Sequence, residues 1–294
     1  MKIETILTPA ELPALAQRDL RATACVVFDV LRATSTFVTA LHHGAKAIIP
    51  VSEIAEALAI RQKQPDVLLG GERNGVKIRA AQKWDRHLAY PEQAGSLSHD
   101  HSEIDFDLGN SPREYTPEKV RGKTIVSTTT NGTRALRACA GAQTILAASF
   151  LNLIASANFI CQIQPEQVLI VCAGTRENKA DEDVLAAGAL CELLGWWGET
   201  TGEPKKKQNL QRSGSRGRSP HQKEIFEFSD SAEIARRDYA RAKSDLLAAV
   251  SKSENARRLL AIPELRDDVT FCLQRDIYPL VAKMGTDGSL YCSY

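Results

Sequence analysis

The sequence predicts an α/β protein in which a largely parallel sheet is covered by helices. Three observations carry that expectation. Short apolar, β-branched runs alternate with helix-forming stretches through the first two thirds of the chain, the trace left by strand–helix–strand units. Two of those runs, ACVVF at 24–28 and EQVLIVC at 166–172, are apolar without alternation, as strands covered on both faces are. From residue 224 onward the pattern is mostly helical, which suits a cover over the sheet.

Taken in order, KIETIL at 2–7 is a short alternating strand ended by Thr8 and Pro9. The run at 24–29 ends in Asp29, and a helix over 33–43 follows, stopped by Gly44. Residues 46–51 read as a strand, 53–62 as a helix behind Ser52, and 66–69 as a third strand opening into the GGERNG loop at 70–75. Residues 79–104 are polar, hold His87, His99 and His101, and show no sustained period. They read as a lid-like insertion with solvated histidines. KTIVST at 123–128 is a strand, TNGT at 130–133 a turn and 134–140 a helix. A strand at 143–147, a helix at 152–163, the strand at 166–172 and a strongly apolar helix at 184–197 complete the first part. Residues 198–223 are rich in Gly, Ser, Lys and Arg; 205–223 carry seven basic residues and no acid or aromatic, which reads as a basic flexible insertion rather than an RNA-binding face. Helices are expected over 232–250, up to 261 and over 263–275, then a hairpin pairing 279–283 with 289–291. The whole is read as a single domain, 1–294, with 224–294 as the helical cover.

Composition narrows the function. The chain is 43% hydrophobic and 25% charged with a formal net charge of +1, so no global bias draws it to nucleic acid or a membrane surface. Its seven cysteines stand singly, without a C-x-x-C pair, and suit a reducing compartment. No apolar run approaches the roughly 18 residues a membrane span needs, and a cytoplasmic location is expected. A homo-oligomer stays open.

Polar groups collect where predicted strands give way to loops: Asp29 with Arg32 and Thr34; Glu72 with Arg73; the run 128–134; and Gly174, Thr175 and Arg176, with Asp183 just beyond. In parallel α/β sheets such strand ends bind ligands. Carboxylates there suit Mg²⁺, and arginines and helix N-termini suit phosphate. The segment DFDLGNSP adds Asp107, Asn110 and Ser111, and TTTNGTR offers hydroxyls, Asn131, Thr133 and Arg134 around a helix start. The common phosphate machinery is missing: there is no D-x-D after the first buried strand, no P-loop, no cysteine-based phosphate loop, no zincin motif and no G-x-S-x-G elbow.

FDVLRATST at 28–36, GGERNG at 70–75, FDLGNSP at 106–112, TTTNGTR at 128–134 and CAGT at 172–175 together resemble the 2-phosphosulfolactate phosphatase (ComB) family, in order and spacing. The resemblance implies a three-layer α/β/α architecture and Mg²⁺-dependent cleavage of phosphosulfolactate to sulfolactate and inorganic phosphate, a step toward coenzyme M. The chain departs from the family pattern in the two insertions. On the matched motifs, Asp29, Glu72, Asp107 and Asn131 are the catalytic candidates, and Asp29, Glu72, Asp107 and Asp183 the metal candidates. Arg32, Thr34, Asn110, Ser111, Thr133, Arg134, Gly174 and Thr175 would bind the phosphate ester, with Arg73 or Arg176 on its sulfonate or carboxylate. The rival reading is a phosphometabolite sensor that binds without turnover.

Overall fold

The computed structural model describes residues 1–79, 105–199 and 226–293. Both insertions and the three loop histidines expected from the sequence therefore lie almost wholly outside the described residues. Within them, eleven strands form one sheet: β1 (Lys2–Ile6), β2 (Thr23–Phe28), β3 (Ala47–Val51), β4 (Leu68–Arg73), β5 (Val76–Lys77), β6 (Thr124–Thr128), β7 (Thr144–Ala148), β8 (Gln167–Cys172), β9 (Glu227–Phe228), β10 (Val281–Met284) and β11 (Leu290–Ser293). The order is β5-β4-β6-β3-β11-β10-β7-β2-β8-β1-β9.

The strands form two wings, each internally parallel apart from the short edge strand β5. Between them stands the C-terminal hairpin, with β11 antiparallel to β3 and β10 antiparallel to β7. Counted through those three antiparallel ladders, the wings run in opposite senses. A twist of roughly 20–25° per neighbour accumulates to about 120–150° over the six steps from β4 to β2. Opposed strand directions are thereby turned toward each other, and the ends of both wings reach one pocket.

Helices cover both faces. On one lie α1 (Leu12–Leu15), α2 (Ala33–His42), α4 (Pro117–Val120) and α5 (Gly132–Ala138), where Phe37, Leu41 and Leu136 meet Cys25, Val27 and Ile125 of the sheet. On the other, α3 (Ile54–Lys63) packs on Leu69 and Val126. Beside it on that face, α6 (Leu153–Ile163), α7 (Asp181–Glu199), α8 (Asp230–Ala242), α9 (Leu246–Val250), α10 (Glu254–Leu260) and α11 (Arg266–Cys272) cover Val26, Phe28 and Ile170. All six residues of β2 are buried, alternate ones feeding the two cores. At about 1.5–3 kcal/mol for each large side chain buried, this strand anchors Asp29 at its end.

Local readings need three corrections. The helix expected over 232–250 is two, because the chain turns after Ala242 and the Asp245 side chain caps α9 by accepting from Ala248 N–H. The strand expected to stop at 69 runs on to Arg73. GGERNG is then the end of β4 and a two-residue turn, in which Asn74 (φ 56°) and Gly75 (φ 84°) both take the left-handed region that an Asn-Gly hairpin favours. The helix over 263–275 shortens to α11. All seven cysteines are free thiols. No helix of the described residues is long and apolar enough to cross a membrane.

Candidate active site

Four strand ends and one covering helix enclose a small polar cleft. Asp29, Leu31 and Arg32 come from the loop after β2, and Glu72, Asn74 and Gly75 from the β4 end and its turn. Thr130 and Asn131 follow β6, and Thr175 and Arg176 follow β8. Asn110 comes from the FDLGNSP segment, and Asn255, Arg258 and Leu259 from α10.

Asp29 is buried, and Ala33 N–H donates to its Oδ1 at 3.1 Å. The Thr34 hydroxyl holds the Asp29 backbone, donating to its carbonyl at 3.0 Å, which makes Thr34 a brace for the loop. Oδ2 takes no hydrogen bond among the described residues and lies beside Gly132. A Cβ there would stand 2.6 Å from Ala33 Cβ and 2.8 Å from Asp29 Oδ2, so only glycine lets α5 begin this close to the acid. Burial, and next the charges of Glu72 and Glu182, push Asp29 up to about 7 against the opposing Ala33 hydrogen bond. Arg32 does not relieve it directly: its guanidinium donates to Asp268 Oδ2 at 2.8 Å and to Gly75 O at 2.6 Å.

Glu72 closes the hairpin turn onto β6. Its Oε2 accepts from Gly75 N–H at 2.7 Å and its Oε1 from the N–H and hydroxyl of Thr130, each at 2.9 Å. The buried Asp183 ties two strand-end loops together, accepting from Val30 N–H at 2.8 Å and Gly174 N–H at 2.9 Å. Burial, then the neighbouring charges of Asp29 and Glu182, hold Asp183 well above the usual carboxylate range. With both oxygens committed to backbone, Asp183 stands behind the pocket lining.

The remaining sequence candidates divide. Asn110 lines the pocket, its Oδ1 buried without a partner among the described residues, and so do Asn131, Thr175 and Arg176. Asp107 does not: it accepts from Leu69 N–H at 2.7 Å and pairs with Arg61, while its neighbours Phe106 and Leu108 are buried. Arg73, next to Glu72 on the strand, takes the opposite side and donates to Thr128 Oγ1 and Ser52 O. Arg134 turns outward to Glu177. The Thr133 hydroxyl donates to Thr129 O, and the Ser111 hydroxyl to Asp268 Oδ1 at 2.7 Å. The phosphate grip expected at TTTNGTR therefore shrinks to Asn131: Thr130 gives its N–H and hydroxyl to Glu72, Thr128 its hydroxyl to Ser52 O and Thr133 its hydroxyl to Thr129 O.

Sequence reasoning missed Asn255 and Arg258, which no motif marks, and gave no role to Asp268, although the segment from Asp268 to Leu280 also resembles the family. Asn255 Nδ2 donates to Thr175 Oγ1 at 2.6 Å and to the buried Glu182 Oε1 at 2.8 Å, and its Oδ1 accepts from Arg258 Nη2. Burial, ahead of the opposing Asn255 hydrogen bond, raises the pKa of Glu182.

The sequence profile of a family described as 2-phosphosulpholactate phosphatase matches residues 7–93 and 101–286. A probable 2-phosphosulfolactate phosphatase of Clostridium acetobutylicum is 30% identical over 291 residues, covering 99% of this chain and 100% of that protein. A Thermotoga petrophila protein described in the same words is 36% identical over 256 residues, 87% of this chain and 86% of its own. One from Caldanaerobacter subterraneus subsp. tengcongensis is 43% identical over 183 residues, 62% of this chain, and that match spans just under two thirds, 65%, of the relative's length. With its five motifs in order and a profile match over nearly its full length, the chain belongs to the 2-phosphosulpholactate phosphatase family.

Proposed function

We propose that this cleft hydrolyses a small acidic phosphate monoester, first of all 2-phosphosulfolactate, to its alcohol and inorganic phosphate with Mg²⁺ as cofactor. One observation carries the reading. A carboxylate oxygen that takes no hydrogen bond among the described residues, Asp29 Oδ2, shares the cleft with Arg176 and Arg258, neither of which has an ion-pair partner among the described residues. A cleft for a neutral ligand gains nothing from such arginines, and a plain anion binder gains nothing from the acids. The descriptions of the relatives point the same way.

The donors suit Mg²⁺: Asn110 Oδ1 is a hard oxygen buried without a partner among the described residues, and Asp29 Oδ2 takes no hydrogen bond there, both in the cleft with Glu72. Among the described residues no group of three or more His, Cys, Asp or Glu forms a metal cage. Mg²⁺ does not need one, since it takes one or two carboxylates and leaves the rest of its shell to water and phosphate. When bound, Mg²⁺ supplies charge neutralisation at the ester oxygens. Asp29 then holds its charge beside the cation, Glu72 fixes the turn and Thr130, Asn131 offers an amide, and the arginines hold the anion. A reducing compartment such as the cytoplasm suits seven free thiols.

The test is release of inorganic phosphate from 2-phosphosulfolactate, phospholactate and phosphoglycolate, with and without Mg²⁺. Release that stops in excess chelator and returns with Mg²⁺ is expected. Full turnover in chelator removes the metal from the reading, and silence with all three esters removes the phosphatase itself.

A further inference from the structure

Arg258 is the arginine of the cleft with a buried donor left unpartnered among the described residues. Its side chain lies against the hairpin turn, with Nε 3.6 Å from where a Cβ on Gly75 would stand. That Nε is buried without a hydrogen-bond partner among the described residues. A buried N–H left unmade is costly unless something else accepts from it. Nη2 is anchored on Asn255 Oδ1, so the guanidinium is held by one corner with its other donors uncommitted.

Asn255 does more than anchor it. Its Nδ2 donates to Thr175 Oγ1, which fixes that oxygen as an acceptor and leaves the Thr175 hydroxyl proton to point elsewhere. Glu182 Oε1 takes the second Nδ2 hydrogen and keeps the amide from flipping. One buried amide thus sets two donors, the Thr175 hydroxyl and the Arg258 guanidinium, on the same wall. Arg176, held by a left-handed backbone (φ 56°), lines that wall too. The acids Asp29 and Glu72 come from other strand ends.

We propose that this wall is the subsite for the non-reacting acidic group of the substrate, a carboxylate or sulfonate on the carbon skeleton. Arg258 and Thr175 bind it, and Asn255 is their positioning residue. The inference rests on the phosphatase reading and adds to it which end of the ester lies where. A planar guanidinium with free donors suits the two-pronged hold that a carboxylate or sulfonate offers. Selection follows: an ester lacking the second acid leaves the buried Nε of Arg258 without an acceptor, and it is disfavoured for that reason.

The experiment compares wild type, Arg258→Gln, Arg258→Lys and Asn255→Ala on 2-phosphosulfolactate and on p-nitrophenyl phosphate, which has no second acid, alongside calorimetric binding of sulfolactate, which has no phosphate. The ratio of kcat/KM for 2-phosphosulfolactate to that for p-nitrophenyl phosphate should fall at least 30-fold in Arg258→Gln, mostly through KM. Arg258→Lys should recover part of it, and Asn255→Ala should move the same way. Sulfolactate binding should weaken at least tenfold in Arg258→Gln. Equal losses on both esters, or sulfolactate bound equally by wild type and Arg258→Gln, overturn the subsite. Asn255 is buried and its variant can fail to fold, in which case Arg258→Gln decides alone. If wild type cleaves neither ester, the phosphatase reading fails, and the calorimetric arm still decides whether the wall binds the acid.

Discussion

Replacing Asp29 by Asn should make the metal-free protein more stable at pH 8 while disabling it. Asp29 ends a fully buried strand and has one hydrogen bond, from Ala33 N–H, while the arginine three residues on is spent on Asp268. The unfolded chain releases this proton near the ordinary 3.8, whereas the folded chain keeps it to about 7, mainly because burial disfavours the charge. Stability therefore falls as pH rises across that window, and the full cost stands above pH 7. At about 1.36 kcal/mol for each pH step, the gap from 3.8 to about 7 is worth about 4 kcal/mol. Asn keeps the acceptor for Ala33 and removes the charge, so a gain of about 2–4 kcal/mol at pH 8 is expected, shrinking toward zero below pH 4. Urea unfolding at pH 5 and pH 8 measures it. Added Mg²⁺ should stabilise the wild type and not the variant, and turnover should fall at least ~100-fold, about 2.7 kcal/mol. A metal-free variant less stable than wild type at pH 8 would refute the reasoning, because Asp29 would then have a compensating partner.

Three further substitutions probe the frame. Gly132→Ala forces a methyl against Ala33 and Asp29, and should cost about 1–3 kcal/mol and most of the activity; wild-type kcat/KM would show that the chemistry lies elsewhere. Asp107→Asn should leave kcat/KM within about threefold and cost about 1 kcal/mol in urea unfolding, since it loses a backbone acceptor and a surface pair. A tenfold loss of activity would return Asp107 to the site. Asp268→Asn strands the buried Arg32 charge and should cost about 3–5 kcal/mol, and a loss under 1 kcal/mol would mean that Arg32 finds another acceptor.

What the sequence made legible follows from range. Asp29 could be placed because a continuous apolar run ended by an acid describes a buried strand and its exit. The C-terminal hairpin was legible as a hairpin, but its seat between β3 and β7 was not, because strand order is set by contacts far apart in the chain. Residue type misled at TTTNGTR, where a row of hydroxyls suits a phosphate but Thr128 and Thr133 are spent on Ser52 O and Thr129 O. A usable signal was present for Arg73: in an extended strand neighbouring residues face opposite sides, so with Glu72 toward the cleft Arg73 faces away from it. Asn255 and Arg258 had no such signal, since one asparagine and one arginine in a helical stretch read as surface residues until the fold lays α10 over the cleft.

On the proposed reading, the charge balance of the cleft ties metal and anion together. Arg32 is neutralised by Asp268, which leaves Arg176 and Arg258 facing Asp29 and Glu72. With both acids ionised the cleft is close to neutral, and a substrate with several negative charges finds no net attraction in it. With Asp29 protonated the cleft turns positive, but its uncommitted carboxylate oxygen is then no anionic ligand. A divalent cation would resolve the conflict: it would let Asp29 ionise despite burial and add the positive charge that an acidic ester needs. The chelator arm of the phosphate-release assay is therefore also a test of how the fold tolerates a carboxylate at the end of β2.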